Sequence, residues 1–325
     1  MKKVCSAAAI ALSLAFASGV AAAQTYPTRP VTMIVPFAAG GPTDSLARIL
    51  AHAMSETLGQ QVVLENVPGA GGGLGTTRLI RAQADGYTTL IHDLALPAGP
   101  LLNKNLTYDL TRELEPVGLI NAGPMVLISR QGLAPDTTSL FASIRKNLDR
   151  ISLGHSGLGT NSHMCGLLVQ QALGARVTEV PYRGAAPAMN DMLAEQLDIM
   201  CEQSTTAIPQ IEAKKVVAHG VTSAKRLAAL PDVPTLSENG VTGFDFSTWH
   251  GLYVPANTPA AEIESLNQAL QKALANQNTQ SRFAAAGRTE FATDQRSPSA
   301  HRSLLNTDQK RLKAALDSAG VKPAE

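Results

Sequence analysis

The chain has 325 residues, 44% of them hydrophobic and 16% charged, with one Trp, five Tyr and seven Phe. That apolar fraction fills real cores and excludes wholesale disorder, while the length suits two domains of roughly 150 residues each. Twenty-seven basic side chains against 26 acidic ones, with no basic tail or stripe, exclude a dedicated nucleic-acid binder; heptads and solenoid repeats are also lacking.

Lys2 and Lys3 precede an Ala/Leu-rich run from Val4 to Val20, and Ala21-Ala22-Ala23-Gln24 follows. A charged n-region, an apolar h-region and a small-residue cleavage site predict a signal peptide over residues 1–23 and a mature start at Gln24. A transmembrane anchor is the competing reading, but the run is rich in Ala and Ser and ends at a cleavage site. The chain is expected to be exported and soluble. Cys5 lies inside the h-region, so the mature chain keeps two cysteines, Cys165 and Cys201. Two thiols in an oxidising compartment predict one disulfide if their Cα atoms come within about 7 Å; a pair of buried free thiols is the alternative. CxxC and HExxH spacings are absent, so no metal is expected.

The mature chain alternates short β-rich runs with amphipathic helical runs, which predicts an α/β fold with mostly parallel sheets. Val31–Phe37 reads as a strand, Asp44–Leu58 as a core-facing helix ending at Gly59, Gln61–Glu65 as a strand, Gly75–Ala84 as a helix and Thr88–His92 as a strand. A Pro/Leu-rich segment leads to Tyr108-Asp109. Val117–Ile120 and Met125–Ser129 read as two strands separated by Gly123-Pro124. A second series begins there: helix Ser139–Leu148, strand Ile151–Leu153, a helix through Leu173, strand Val177–Val180, helix Ala185–Leu193, strand Leu197–Cys201, a helix near Ala207–Ala213 and strand Val216–Val221. Residues 246–255 are extended, and helices Pro259–Ala275, Thr279–Ala286 and Pro298–Ala319 finish the chain. Met125–Ser129 and Thr248–Val254 are the expected crossings between the two units.

Five strand-to-helix loops carry small or polar residues: FAAGGPTD (37–44), PGAGGGLGT (68–76), HSGLGTNSH (155–163), PYRG (181–184) and CEQSTT (201–206). In open parallel sheets ligands bind outside the carboxyl ends of strands, where glycines allow close approach and helix N-termini offer free N–H groups to an anion. Each such terminus favours an anion by about 0.3–1 kcal/mol. Ordinary turns and caps are the bland alternative for any one loop; five together point to an anion site.

Nucleotide motifs fail. GxGxxG needs a glycine where Leu74 or Thr76 stands, and no Lys-Ser/Thr pair makes a P-loop. The hydrolase elbow GxSxG fails at Leu158, which leaves a Ser156/His250/Asp245 triad as an unsupported alternative. No cofactor is expected. Asp44, in a helix first turn, suits either the dipole or a polar ligand contact. His92 and Asp93 end a strand, where a ligand-facing or a capping role fits His92. His163 suits a buried hydrogen bond or a carboxylate contact, and the Arg183 fork suits a carboxylate or a salt bridge. Trp249 reads as hinge or core packing.

From FAAGGPTD through NVPGAGGGLG, DGYTTL, SGLGTNSH, VPYRGAAPAMNDML, TSAKRLAALPDVPTLSENG and STWHGLYVPANTP, in order, the chain resembles the Bug-type substrate-binding receptors of tripartite tricarboxylate transporters. The resemblance implies a type II-like periplasmic binding protein, not an enzyme. It would have one lobe from residues 24–123 plus 248–325 and another from 124–247, closing as a monomer on a small mono- or dicarboxylate. It implies delivery to a two-component membrane permease, or alternatively to a histidine-kinase sensor ectodomain. Carried onto this chain, the ligand contacts are Phe37, Ala38, Gly40, Thr43, Asp44 and His92 from the first lobe, and Ser156, Thr160, Asn161, His163, Tyr182 and Arg183 from the second. IMCEQSTT departs from the family pattern of an aromatic and an Asp or Asn at Cys201 and Glu202, and IHDLALPAG (91–99) from a Ser/Thr-rich version. PFAAGGPTD, SHMCGLL and MCEQ are similar to members that bind aromatic dicarboxylates such as terephthalate.

Overall fold

The computed structural model describes residues 26–318; the signal peptide expected over residues 1–23 lies outside them. Strand β1 (Val31–Val35) pairs in parallel with β2 (Val62–Asn66) and β3 (Thr88–Asp93). Helices α1 (Pro42–Leu58) and α2 (Gly73–Ile80) make the crossovers. α1 ends where Gly59 takes the left-handed conformation (φ 66°) and donates back to the Ser55 carbonyl, a stop that favours glycine. A second parallel group holds β5 (Ser152–His155), β6 (Thr178–Pro181) and β7 (Ile199–Gln203). Its helices are α4 (Thr137–Lys146), α5 (Asn161–Leu173), α6 (Ala185–Leu193) and α7 (Ser204–Glu212), with strand β8 (Val216–Val221) after them.

Two long strands join the groups. β9 (Ser247–Pro255) runs antiparallel to β3, with Asp93 opposite His250, and to β4 (Leu114–Arg130), with Pro124 opposite Ser247. Beyond Pro124, β4 turns its edges to β7 and β8, pairing Met125 with Gln203 and Val126 with Val221. The continuous strand order is β2-β1-β3-β9-β4-β7-β5-β6, and each parallel group is therefore completed by antiparallel crossing strands.

The two strands expected around Gly123-Pro124 are one. Proline lacks an N–H, so inside a sheet it is tolerated where a ladder bond is not required. Pro124 sits at such a handover: the short strand β10 (Thr289–Glu290) reaches Ala122 on one edge, and pairing with β7 starts at Met125. The Pro/Leu-rich segment after β3 is also helical, α3 (Ala95–Leu102). It is apolar all round and almost wholly buried, so it shows no amphipathic period.

The C-terminal helices α8 (Ala260–Ala275), α9 (Gln277–Ala285) and α10 (Pro298–Ser318) return to the first group. Leu266 and Leu270 of α8 share a core with Met33 of β1 and Leu46, Leu50 and Met54 of α1. Trp249 on β9 donates its indole N–H to Asp308 of α10 at 2.6 Å and meets the His301 ring edge-on, so it fastens the crossing strand to the last helix. Among the described residues no helix is long and apolar enough to cross a membrane.

Candidate functional site

The loops at the carboxyl ends of β1, β5, β6 and β7 meet at one cleft. Its wall contains Pro42 and Thr43 from the first turn of α1, Thr160, Asn161 and Ser162 from the start of α5, Ala185 from the start of α6, and Gln203 at the start of α7; Phe37, Asp93, Met125, Ser156 and Glu202 complete it. About 310 Å³ of the cleft, its mouth included, is free of atoms. Four helix N-termini thus face a common space. Three of them, preceded by Gly41, Gly184 and Gln203, have no side-chain cap. The unpaired N–H groups and the positive dipole ends favour an anion there without any cationic side chain, and none lines this cavity. On α5 the Thr160 hydroxyl caps the helix by accepting from the His163 N–H.

Two acids stand in this wall, in contrasting environments. Asp93 is buried, which disfavours its charge, but hydrogen bonding and nearby His92 and His250 hold its carboxyl below the usual range. Its Oδ2 accepts from Asn161 Nδ2 at 2.7 Å and Gln203 Nε2 at 3.3 Å, and its Oδ1 from the Ala95 N–H at 2.9 Å. Glu202 is 1% exposed; its Oε1 accepts from the Thr206 hydroxyl at 2.5 Å, while Oε2 has no partner. Burial pushes this carboxyl up to about 7 against the lowering effect of Thr206 and the Gln203 N–H. Asn161 Oδ1 and Gln203 Oε1 are likewise buried and unpartnered.

A second cavity adjoins the first, sharing Phe37 and Ser156, and is lined by Gly69–Gly72, Asn103, Gly157, Leu158, Tyr182 and Arg183. The two glycine loops touch: a Cβ on Gly71 (φ 62°) would lie 2.2 Å from the Leu158 carbonyl oxygen, so only glycine permits this approach. Tyr182 donates its hydroxyl to Asp191 at 2.7 Å. Arg183 is exposed and, among the described residues, makes no hydrogen bond or ion pair.

Of the residues expected to touch ligand, Phe37, Thr43, Ser156, Thr160 and Asn161 line the first cavity, and Tyr182 and Arg183 the second. Five others stand beneath or beside these walls. Asp44 is fully engaged at the start of α1, accepting from the Gly40 N–H of its loop, from Arg48 one turn on and from Asn66 at the end of β2. Gly40 and Ala38 instead abut Ala186 and Gly184. His92 is buried with Nδ1 accepting from the Asp93 N–H and Nε2 unpartnered; a Cβ on Gly72 would lie 2.7 Å from that nitrogen. His163 accepts from the Gly159 N–H and faces Glu179 at 3.7 Å. Asp93, Glu202 and Gln203 also line the first cavity, outside the set of contacts expected from the sequence. The strand end at Asp93 and the CEQSTT loop were visible signals, but burial of the second acid is a tertiary property.

Cys165 and Cys201 are disulfide-bonded with Cα atoms 6.0 Å apart, joining α5 to β7. The hydrolase triad is not assembled. Ser156 shares its hydroxyl hydrogen bond with Ser162 at 2.8 Å, His250 is committed to Thr43 and Asn121, and Asp245 is exposed beside a separate cavity. Burial, aided by Arg288, also lowers His250 to about 3. One group not visible from spacing is His155, His163 and Glu179, whose ligand atoms lie within 4.8 Å of one another. Both imidazoles accept a backbone N–H at Nδ1, from Gly157 and Gly159. A metal on Nε2 would require the proton on Nδ1, where each ring instead accepts, so the arrangement suits two rings hydrogen-bonded to the loop backbone.

The family model described as the tripartite tricarboxylate transporter family receptor (TctC) matches residues 46–319. The UPF0065 protein in the TAR-I ttuE-ttuC' intergenic region of Agrobacterium vitis is 41% identical over 96% of this chain and 91% of its own. BugT of Bordetella pertussis is 32% identical over 94% of each chain. Among solved structures, periplasmic binding protein BugD superposes with a TM-score of 0.89 at 42% identity, covering 92% of this chain and all (100%) of that one. MatC from Rhodopseudomonas palustris with bound malate gives a TM-score of 0.86 at 33% identity, over 89% of this chain and 99% of that chain. The R. palustris protein Rpa4515 with adipate gives 0.87 at 29%, over 92% and 100%. With its two-lobed α/β fold and a cleft at the strand ends, the chain belongs to the TctC family of tripartite tricarboxylate transporter receptors, solute-binding proteins and not enzymes.

Proposed function

We propose that this chain is an exported, monomeric periplasmic receptor that closes over a small dicarboxylate and delivers it to a two-component membrane permease. The lobes are residues 24–123 with 248–325, and residues 124–247. The observation that carries this reading is the convergence of four helix N-termini on a cavity with no lining cation. One carboxylate sits at those termini. The second reaches the adjoining cavity, where Arg183 has no partner among the described residues. Phe37, shared by both, covers the apolar middle. Similar proteins bind malate and adipate, which supports a ligand with two carboxylates.

The test is a thermal-shift screen against aliphatic and aromatic mono-, di- and tricarboxylates, with malate, adipate and terephthalate included. Ligand at 100 times its Kd adds about 2.7 kcal/mol, which is a clear melting shift. Dicarboxylates are expected to shift the transition more than their monocarboxylate counterparts. Silence across the whole carboxylate panel would overturn the assignment.

A further inference from the structure

The cavity proposed for an anion holds two acids of its own. Asp93 is saturated by Asn161, Gln203 and the Ala95 N–H, and stays charged. Glu202 is different. Its Oε1 is taken by Thr206, but Oε2 is buried, unpartnered and part of a side chain in the cavity wall.

Among the described residues no countercharge reaches it. On β4, Arg130 is bonded to Asp198 and Glu115 pairs with Arg302. His155 on β5 accepts from the Gly157 N–H and packs on the His163 ring, His163 on α5 is turned to Gly159 and Glu179, and His219 on β8 to Ser129. His250 on β9 bonds Thr43 and Asn121, while Arg288 is spent on Asn121 and the carbonyls of Gly123 and Thr248. Asp93, across the cavity on β3, is the other ionisable group in the wall. A ligand carboxylate arriving beside an ionised Glu202 would make a like-charge contact in a poorly solvated space, and two such groups do not both stay ionised at close range.

We infer that Glu202 engages the ligand as the neutral acid, its Oε2 hydroxyl donating to the ligand carboxylate, so that capture takes up one proton. This rests on the carboxylate reading above. The proton comes from solvent, and Oε1 keeps accepting from Thr206. In the free protein burial outweighs the Thr206 and Gln203 hydrogen bonds and pushes the carboxyl's pKa up to about 7. The protonated form therefore binds, and the ionised form must first gain a proton. The helix N-termini hold the ligand's charge and Glu202 supplies a donor with a pH limit.

Calorimetric titration with malate, adipate and terephthalate at pH 6.5 and 8.5, each in two buffers of different ionisation enthalpy, tests this where the ligand carboxyls are already ionised. The expected Kd rises about twentyfold between the two pH values, with close to one proton taken up at pH 8.5. Glu202→Gln keeps a donor and a Thr206 acceptor; it should bind with a Kd flat within about threefold and lose the proton uptake. The wild-type proton count keeps the proposal falsifiable even if that variant fails to fold, since an absence of uptake overturns it. Binding without proton uptake, affinity that rises with pH as for an ammonium ligand, or the same uptake in Glu202→Gln overturns the assignment to Glu202 while leaving a carboxylate receptor. No binding of any of the three at pH 6.5 removes the carboxylate reading, and this inference with it.

Discussion

Asn161, the first residue of α5, donates its side-chain amide to Asp93 at the end of β3 over 2.7 Å, and the same nitrogen lies 2.7 Å from the Thr248 hydroxyl. With Gln203 on the same carboxylate oxygen, one buried acid gathers wall residues from β3, α5 and β7. Asp93→Asn puts an amide opposite two amide donors. Urea unfolding at pH 7 should show a loss of about 2–4 kcal/mol. The Asp93 carboxyl lies below its ordinary range in the fold, so its contribution is full above that range and is lost as pH falls through the folded value. The gap between wild type and variant should narrow only at acid pH.

The Cys165–Cys201 bridge lies one turn beyond Asn161 and one residue before Glu202. It pins together two elements of the cavity wall. Unreduced protein should titrate close to zero free thiols at these positions. Reduction, or the paired Cys165→Ala and Cys201→Ala change, should cost about 2–4 kcal/mol for a loop of this length.

Glu202→Gln should stabilise the ligand-free protein. A carboxyl raised to about 7 makes the native state bind more protons than the unfolded one between about pH 4.5 and 7, so wild-type stability declines as pH rises through that window. Glutamine does not titrate. The variant's advantage should grow across the window to about 2–3 kcal/mol at pH 8, read from denaturant midpoints.

Arg183 and Asp44 should behave oppositely. Arg183 makes no ion pair or hydrogen bond among the described residues, so Arg183→Ala should leave stability within about 0.5 kcal/mol. Dicarboxylate affinity should fall about tenfold or more, and monocarboxylate affinity should stay nearly constant. Asp44→Ala strands Arg48, Asn66 and the Gly40 N–H. A stability loss of about 2–3 kcal/mol should appear in thermal unfolding.

Much of the architecture was legible in local pattern. Helix Ala185–Leu193 and strand Val216–Val221 fall where their periodicities put them, because amphipathic period and turn chemistry act over a few residues. The αL stop at Gly59 and the anion-favouring loops 37–44, 155–163, 181–184 and 201–206 were legible for the same reason. The fused strand through Pro124 and the helix at Ala95–Leu102 were not. The first depends on which edge of β4 is paired at that residue, and the second lacks a polar face.

By itself, then, the sequence determined the α/β alternation, the glycine and hydroxyl loops and the thiol pair, all properties written in short-range residue order. Only the tertiary structure decided which polar groups face the cleft. It sent Asp44, His92 and His163 to serve the loops from beneath, and it left Glu202 buried without a countercharge. Burial and hydrogen-bond saturation depend on neighbours brought from distant parts of the chain, and those neighbours set the charge a carboxyl carries.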